Sequence, residues 1–279
     1  MRSNSQLPGL LLVTPAIAMV GVMFAFPLVL SVASAFTGQS GEVTLDNFTK
    51  AFELYSGDII FTLLIVCAAT ALVALTAITI AGTLTLGETP WLIDTLSWLY
   101  RWPLFIPFIV AAQCMRTFLA KNGLMNNTLV ASGVLDAADT QSFLDWRGIV
   151  LTFVWKQTPF VALLLAGAMA SLDRATIEAA RNLGAGRLRV LIQIVLPQVA
   201  QTMMVGLVLS FVTMLSVLSV PLMVAGSQPT MMTVDMAFRI NSYSDYGTAN
   251  ALGVISYLMT AVAAWIYLRH SLSGDRQRT

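Results

Sequence analysis

Glu178-Ala179-Ala180-Arg181-Asn182-Leu183-Gly184, followed after nine residues by Ile194-Val195-Leu196-Pro197, is a polar passage set between two long apolar tracts. From Ala175 to Leu183 the residues favour helix, and Gly184 suits the left-handed conformation that ends one. Beyond Gly186, the residues Leu188, Leu191, Ile192 and Val195 recur at the three and four spacing of an amphipathic helix, and Pro197 suits a helix start or a kink. The passage predicts a helix, a turn and a second helix leading back into apolar surroundings. Ala179 and Ala180 give it a low profile and Glu178 supplies a charge, so the projection is suited to docking in a cleft of a partner. An ordinary connection would show no such order.

The surroundings are a membrane. Of 279 residues, 57% are hydrophobic and only 10% charged, with mean hydropathy +0.78, which is more apolar surface than a soluble fold of this length buries. Lys and Arg total 15 against 14 Asp and Glu, so no basic excess exists to neutralise phosphates and no nucleic-acid partner is expected.

Charged residues divide the chain into tracts of the roughly 20 residues that a membrane helix needs. Six spans are expected: Gly9 to Phe36, Ile59 to Ala81, Leu99 to Leu119, Gly148 to Ala170, Val199 to Ala225 and Gly247 to Leu268. In the third, Arg101 and Arg116 lie near the ends and would have to snorkel. The uncharged tract from Val190 to Val234 is too long for one crossing and is punctuated by Pro197, Pro221, Gly226 and Pro229. With cytoplasmic termini, the inside would hold Arg2, Arg101, Arg174, Arg181, Arg187, Arg189, Arg269, Arg276 and Arg278. The outside would hold fewer basic residues, Lys50, Arg116, Lys121, Arg147 and Arg239, which is the expected bias.

The apolar run after Arg2 ends in Ala33-Ser34-Ala35, like a cleavage site, but exceeds the length of a signal core and is expected to stay as the first membrane helix. Cys67 and Cys114 fall within expected spans and are expected to be packed thiols. Two separated cysteines and the single His270 lack metal-ligand spacing, so no metal site is expected.

The spacing E-A-A, three residues, G, nine residues, I-x-L-P resembles the cytoplasmic coupling loop of permease subunits of type I ABC importers, the binding-protein-dependent transport system inner membrane components. Trp155-Lys156-Gln157-Thr158-Pro159-Phe160, Asn122-Gly123-Leu124-Met125-Asn126-Asn127 and Tyr246-Gly247-Thr248-Ala249-Asn250-Ala251-Leu252 look like passages of the carbohydrate-type permeases, and the likeness covers most of Ile59 to Arg269. One departure is Leu183-Gly184-Ala185, where the sugar branch often carries Asp-Gly-Ala and where polyamine, amino-acid and metal-chelate branches look more alike.

The resemblance implies that Glu178, Ala179, Ala180, Gly184, Ile194, Leu196 and Pro197 couple the permease to an ATP-binding subunit. It implies as partners a second, related but different permease chain in a heterodimer, two ATP-binding subunits, an extracytoplasmic solute-binding protein and membrane lipid. ATP and Mg belong to the ATP-binding subunits, and no cofactor is expected in this chain. The location implied is a bacterial-type cytoplasmic membrane. The mechanism implied is alternating access, with solute a sugar or sugar derivative ahead of a polyamine or other small polar molecule.

The chain has no G-x-x-x-x-G-K-[ST] loop, and none of Lys50, Lys121 or Lys156 follows phosphate-cradling glycines, so ATP hydrolysis is not expected of it. An intramembrane enzyme is disfavoured by the lack of a G-x-S-x-G elbow or H-E-x-x-H. An ion-coupled secondary transporter would have no use for a docking loop. Lys156 is the one charge well inside the fourth span, and either faces the solute pathway or snorkels outward. Trp155 either stacks on a sugar ring or anchors at the interface, and Gln157 joins them as a pathway candidate. Met203, Met204, Met214, Met223, Met231 and Met232 are read as packing residues.

The expected fold is therefore an all-α integral membrane protein with six transmembrane helices, of the type I ABC importer permease kind. Residues 1–56 hold the first helix and first outer loop, 57–269 the permease domain with its coupling loop at 173–197, and 270–279 a cytoplasmic tail.

Overall fold

Tracts free of charge become long helices wherever no proline interrupts them. A computed structural model describes residues 6–38, 40–225 and 229–275; Arg2, Gly226, Arg276 and Arg278 lie outside them. The first apolar tract forms α1 (Gln6–Val20), a π-helical turn (Gly21–Ala25) and α2 (Phe26–Ala35). Next come α3 (Asp46–Leu86), α4 (Pro90–Leu99), α5 (Phe108–Leu119), α6 (Leu124–Ala131) and α7 (Trp146–Ala170). The polar passage forms α8 (Arg174–Asn182) and α9 (Arg187–Val190), and a second π-turn (Leu191–Val195) leads into α10 (Leu196–Ser216). The chain continues through α11 (Ser219–Val224), α12 (Met232–Tyr243) and α13 (Tyr246–Asp275).

Five helical stretches have the length and hydropathy of a membrane crossing: Val13–Ala35, Asp46–Leu86, Trp146–Ala170, Arg187–Ser216 and Tyr246–Tyr267. A sixth is the bent pair Pro90–Phe105 and Phe108–Ala131. The second and fourth expected spans lie within these stretches, and the first and sixth overlap them, overrunning by one to four residues at their ends. The π-turns have a common cause, since each ends two residues before a proline, at Ala25 ahead of Pro27 and at Val195 ahead of Pro197. A proline ring clashes with the carbonyl four residues back, and widening the preceding turn lets the helix continue.

Two expected spans need correction. The third is not a straight helix over Leu99 to Leu119: a 3₁₀ turn at Trp102–Phe105 separates α4 from α5, and the halves bend by 109°. Pro107 forces the break, because Ile106 before it is extended (φ −88°, ψ 122°) and Pro107 lacks an amide donor. The fifth span is Arg187–Ser216 rather than Val199 to Ala225; the chain leaves helix at Val217 (φ −78°, ψ 120°) before α11 begins. The cysteine expectation also fails, since Cys67 and Cys114 are both exposed on the faces of their helices.

The chain divides into two compact units, residues 1–56 with 235–257, and residues 57–234 with 258–279. In the first, the Asn47 side chain donates to the carbonyls of Ala35 and Thr37 at 3.1 and 3.0 Å, and Ser31 donates to Asn250 at 2.7 Å. Asp245 gathers Lys50 at 2.5 Å and Arg239 at 3.5 Å and caps α13 through the Thr248 amide at 3.1 Å.

The larger unit has two apolar cores. One joins α3, α7, α10 and α11 through Val66, Phe153, Met214 and Val220. The other joins the end of α3 to α7 and to the start of the fifth span through Ala77, Leu165, Val190 and Val195. Met214, Met231 and Met232 are fully buried, and Met203 and Met223 pack against these cores, as packing residues do. The loop before α7 closes on Asn126, only 2% exposed, whose amide faces the carbonyls of Ala120, Lys121 and Gln141 at 3.2, 2.9 and 2.7 Å. At Gly123 a Cβ would stand 2.6 Å from two backbone oxygens, so only glycine fits the turn.

Candidate coupling loop and solute pocket

Helix α8 is closed by a side chain at its start and by backbone bonds at its end. The Asp173 carboxylate accepts from the Ala175 amide at 2.9 Å, capping the first turn. At the other end Gly184 is left-handed (φ +82°), the Gly184 amide bonds the Arg181 carbonyl at 2.9 Å, and the Ala185 amide bonds the Ala180 carbonyl at 3.0 Å. This pair of bonds is a Schellman closure, which fixes the turn without help from the rest of the protein.

Closure in this way sorts the side chains. Ile177, Ala180 and Ala185 pack against the second core, whereas Glu178, Ala179, Asn182 and Gly184 are exposed. Ala180 thus serves packing within the chain, and the outward face is built by its neighbours. Leu183, 89% exposed at the tip, belongs to that face although the sequence reading counted it only as a departure from the sugar branch. An apolar side chain left bare at the apex of a polar loop was the available signal.

Beyond Gly186 three of the four expected residues, Leu188, Leu191 and Ile192, share an apolar face, while Val195 turns inward and Leu196 takes its place. Leu188 and Ile192 are exposed, at 69% and 53%, while Val190 and Val195 are buried and Leu191 and Ile194 half-buried. The π-turn rotates the helix away from the 3.6-residue period on which the expectation rested. Leu188, Leu191, Ile192 and Leu196 line an apolar groove of about 510 Å³ with Leu75 and Ile78 of α3. Pro197 is exposed.

Two arginines tie this loop to the end of α3. Arg181 donates to the Leu86 carbonyl at 3.1 Å and stands 4.0 Å from the Glu88 carboxylate, and Arg187 forms an ion pair with the same carboxylate.

A second candidate site lies at the break in the third span. Lys156 on α7 is 6% exposed; its ammonium donates to the carbonyls of Pro103 at 2.5 Å and Leu104 at 3.3 Å and sits 5.2 Å from the Phe108 ring centroid. It is therefore held at the break and does not snorkel outward. Unpaired backbone carbonyls at membrane depth cost several kcal/mol each, so a lysine is suited to serving the Leu104 carbonyl and to adding a second bond at the Pro103 carbonyl, which the Ile106 amide already reaches at 3.3 Å. Lys156 and Gln157 line a pocket of about 600 Å³ with Phe105, Phe108, Phe160 and Thr213. Trp155, half-buried, does not line it. Among the described residues no group of His, Cys, Asp and Glu stands ready to hold a metal.

Comparison with known proteins accords with this architecture. The profile described as "Binding-protein-dependent transport system inner membrane component" matches residues 10–271. The sulfoquinovosyl glycerol transport permease SmoG of Agrobacterium fabrum is 27% identical over 95% of this chain and 91% of its own length. The diacetylchitobiose uptake permease NgcF of Streptomyces coelicolor is 29% identical over 83% of this chain and 71% of its own. The putative 2-aminoethylphosphonate permease PhnU of Salmonella typhimurium is 25% identical over 96% and 94%. A chain of the bacterial alginate ABC transporter, crystallised with an alginate pentasaccharide-bound periplasmic protein, superposes with a TM-score of 0.79 at 20% identity, over 96% of both chains. With its helical membrane architecture and this match across nearly its whole length, the chain belongs to the binding-protein-dependent transport system inner membrane components, the permease subunits of ABC transporters, which are not enzymes.

Proposed function

We propose that this chain forms half of the solute pathway of an ATP-driven importer and that α8, with the turn at Gly184, is the element a cytoplasmic ATP-binding subunit grips. The observation that carries this reading is the self-closed helix of Arg174–Asn182, which presents Glu178, Ala179 and Leu183 outward while Arg181 ties it to α3. A displacement of α8 would pull on the end of a membrane helix. Exposed basic residues at Arg174, Arg187 and Arg189 support a cytoplasmic location for the loop, and with it cytoplasmic termini.

The assembly consists of a second, different permease chain, two ATP-binding subunits holding ATP and Mg, and an extracytoplasmic solute-binding protein. The pocket at Lys156 and Gln157 belongs to the pathway, because broken helix at membrane depth is tolerated only against protein or a water-filled cavity. The solute is a sugar or sugar derivative, a reading supported by the names of SmoG and NgcF. Ion-coupled transport is disfavoured by the presence of a docking loop.

Reconstitution decides it. Liposomes containing the whole complex should accumulate labelled sugar only with internal ATP and the external binding protein. Uptake driven by an ion gradient without ATP would overturn the reading.

A further inference from the structure

We infer that the pocket at the break of the third span selects solutes bearing an anionic oxygen group, a carboxylate, sulfonate or phosphonate, and that Lys156 is the residue that selects it. The inference rests on the reading above, that this pocket lies on the solute pathway.

The charge balance of the pocket carries it. Lys156 makes no ion pair among the described residues, and its two polar partners are neutral carbonyls. Among the described residues no Asp or Glu lines the pocket; the other lining side chains are apolar or, at Gln157 and Thr213, uncharged. An ammonium so far buried, with no carboxylate facing it, makes a positively charged cavity in surroundings of low dielectric. An ammonium has three N–H donors, and two are directed at the Pro103 and Leu104 carbonyls, leaving one for a ligand.

The remaining lining matches a glycoside with an acidic substituent. Phe105, 81% exposed, and the Phe108 and Phe160 rings offer apolar faces to a sugar ring. The Gln157 amide donates to the Ser210 carbonyl at 3.5 Å and the Thr213 hydroxyl to the Leu209 carbonyl at 2.8 Å, and their oxygens remain as acceptors for solute hydroxyl groups. A volume of about 600 Å³ accommodates one or two such rings. The same charge opposes a polyamine, which would bring its ammonium groups against Lys156.

Lys156 also holds the break together, so its replacement alone would confound selection with folding. Gln157→Glu separates the two: it removes neither carbonyl acceptor of Lys156 and puts a carboxylate into the same pocket, losing only the long 3.5 Å bond that the Gln157 amide donates to the Ser210 carbonyl. Cells expressing the complete transporter are offered labelled pairs, a glucuronic-acid disaccharide with its glucose counterpart and a 6-sulfoglucoside with its neutral glucoside, and spermidine alone. The acidic member of at least one pair should enter preferentially. Gln157→Glu and Lys156→Gln should cut that uptake about 30-fold, the scale of losing a buried charge contact, with Lys156→Arg within about threefold of wild type. Preferential uptake of a neutral member or spermidine, or acidic uptake unchanged in Gln157→Glu, overturns the inference while leaving an importer. No uptake of any probe by the unmutated transporter overturns the sugar reading itself, and the selection inference with it.

Discussion

Arg181 on α8 donates to the carbonyl of Leu86 at 3.1 Å, across 95 positions of sequence. Leu86 is the last residue of α3, where helix carbonyls lack intrahelical partners and carry the negative end of the helix dipole, so a guanidinium is well placed there. Arg187, on the far side of Gly184, pairs with Glu88 just beyond the same helix end. Both arms of the loop around Gly184 are thus attached to the end of α3.

These contacts are partly exposed and contribute little to stability, about 1 kcal/mol or less for each exposed ion pair. If α8 is gripped as proposed, these contacts would pass its displacement to α3. Arg181→Ala combined with Glu88→Ala should therefore leave the complex assembled while lowering solute moved per ATP by about fivefold, the low end of measured coupling energies. The ratio of transport to hydrolysis in liposomes measures this. An unchanged ratio would mean that the link transmits nothing.

Asp245 makes a second prediction. Burial pushes its carboxyl up, but the hydrogen bonds from Lys50 and Thr248 outweigh that and hold it below the ordinary aspartate range. A carboxyl depressed on folding adds stability that is present above its unfolded value, near 3.9, and is lost as pH falls through the folded value. Asp245→Asn should lower stability by about 1–3 kcal/mol near neutral pH and flatten the loss of stability below about pH 4. Thermal unfolding in detergent across that range measures both. Equal melting of variant and wild type at neutral pH would remove the cluster as a stabilising element.

How far the sequence disclosed these features depends on the interaction behind each. Charge-free tracts located four of the six spans because the cost of burying a charge in lipid dominates their boundaries. The break at Ile106-Pro107 leaves no trace in the placement of Arg101 and Arg116, from which the third span is read; its signal is Pro103 and Pro107, a turn apart. Beyond Gly186, Leu188, Leu191 and Ile192 share a face as their spacing predicts, but Leu196 stands where Val195 was expected, because a π-turn shifts helical phase without any change in composition. Gly184 was legible, since its conformation follows from a local motif. The Lys156 contacts with Pro103 and Leu104 were not, because they depend on packing between distant segments.

A third prediction concerns topology. With Cys67 and Cys114 replaced by Ser, a cysteine at Ala185 should react with a membrane-impermeant maleimide only after the cells are opened. A cysteine at exposed Ser132, on the loop that the same topology places outside, should react in intact cells. The reverse pattern would invert the orientation and with it the assignment of the docking face.

The last prediction separates the turn at Gly184 from what docks on it. A Cβ at Gly184 would meet nothing within 4 Å in this chain, so any damage from substitution within the permease is limited to the left-handed backbone, about 1–2 kcal/mol for most residues. Asn accepts that conformation at lower cost. Gly184→Asn should therefore leave the permease folded in the membrane, yet weaken retention of the ATP-binding subunit on purification, because the added side chain stands on the docking face. Glu178→Lys should do the same by reversing charge at an exposed position with no structural partner to lose. If both variants hold the ATP-binding subunit and support normal solute-stimulated hydrolysis, the exposed face of α8 is not the surface that is gripped. Loss in Gly184→Asp with retention in Gly184→Asn would instead assign the defect to the turn or to charge, leaving close approach at Gly184 without support.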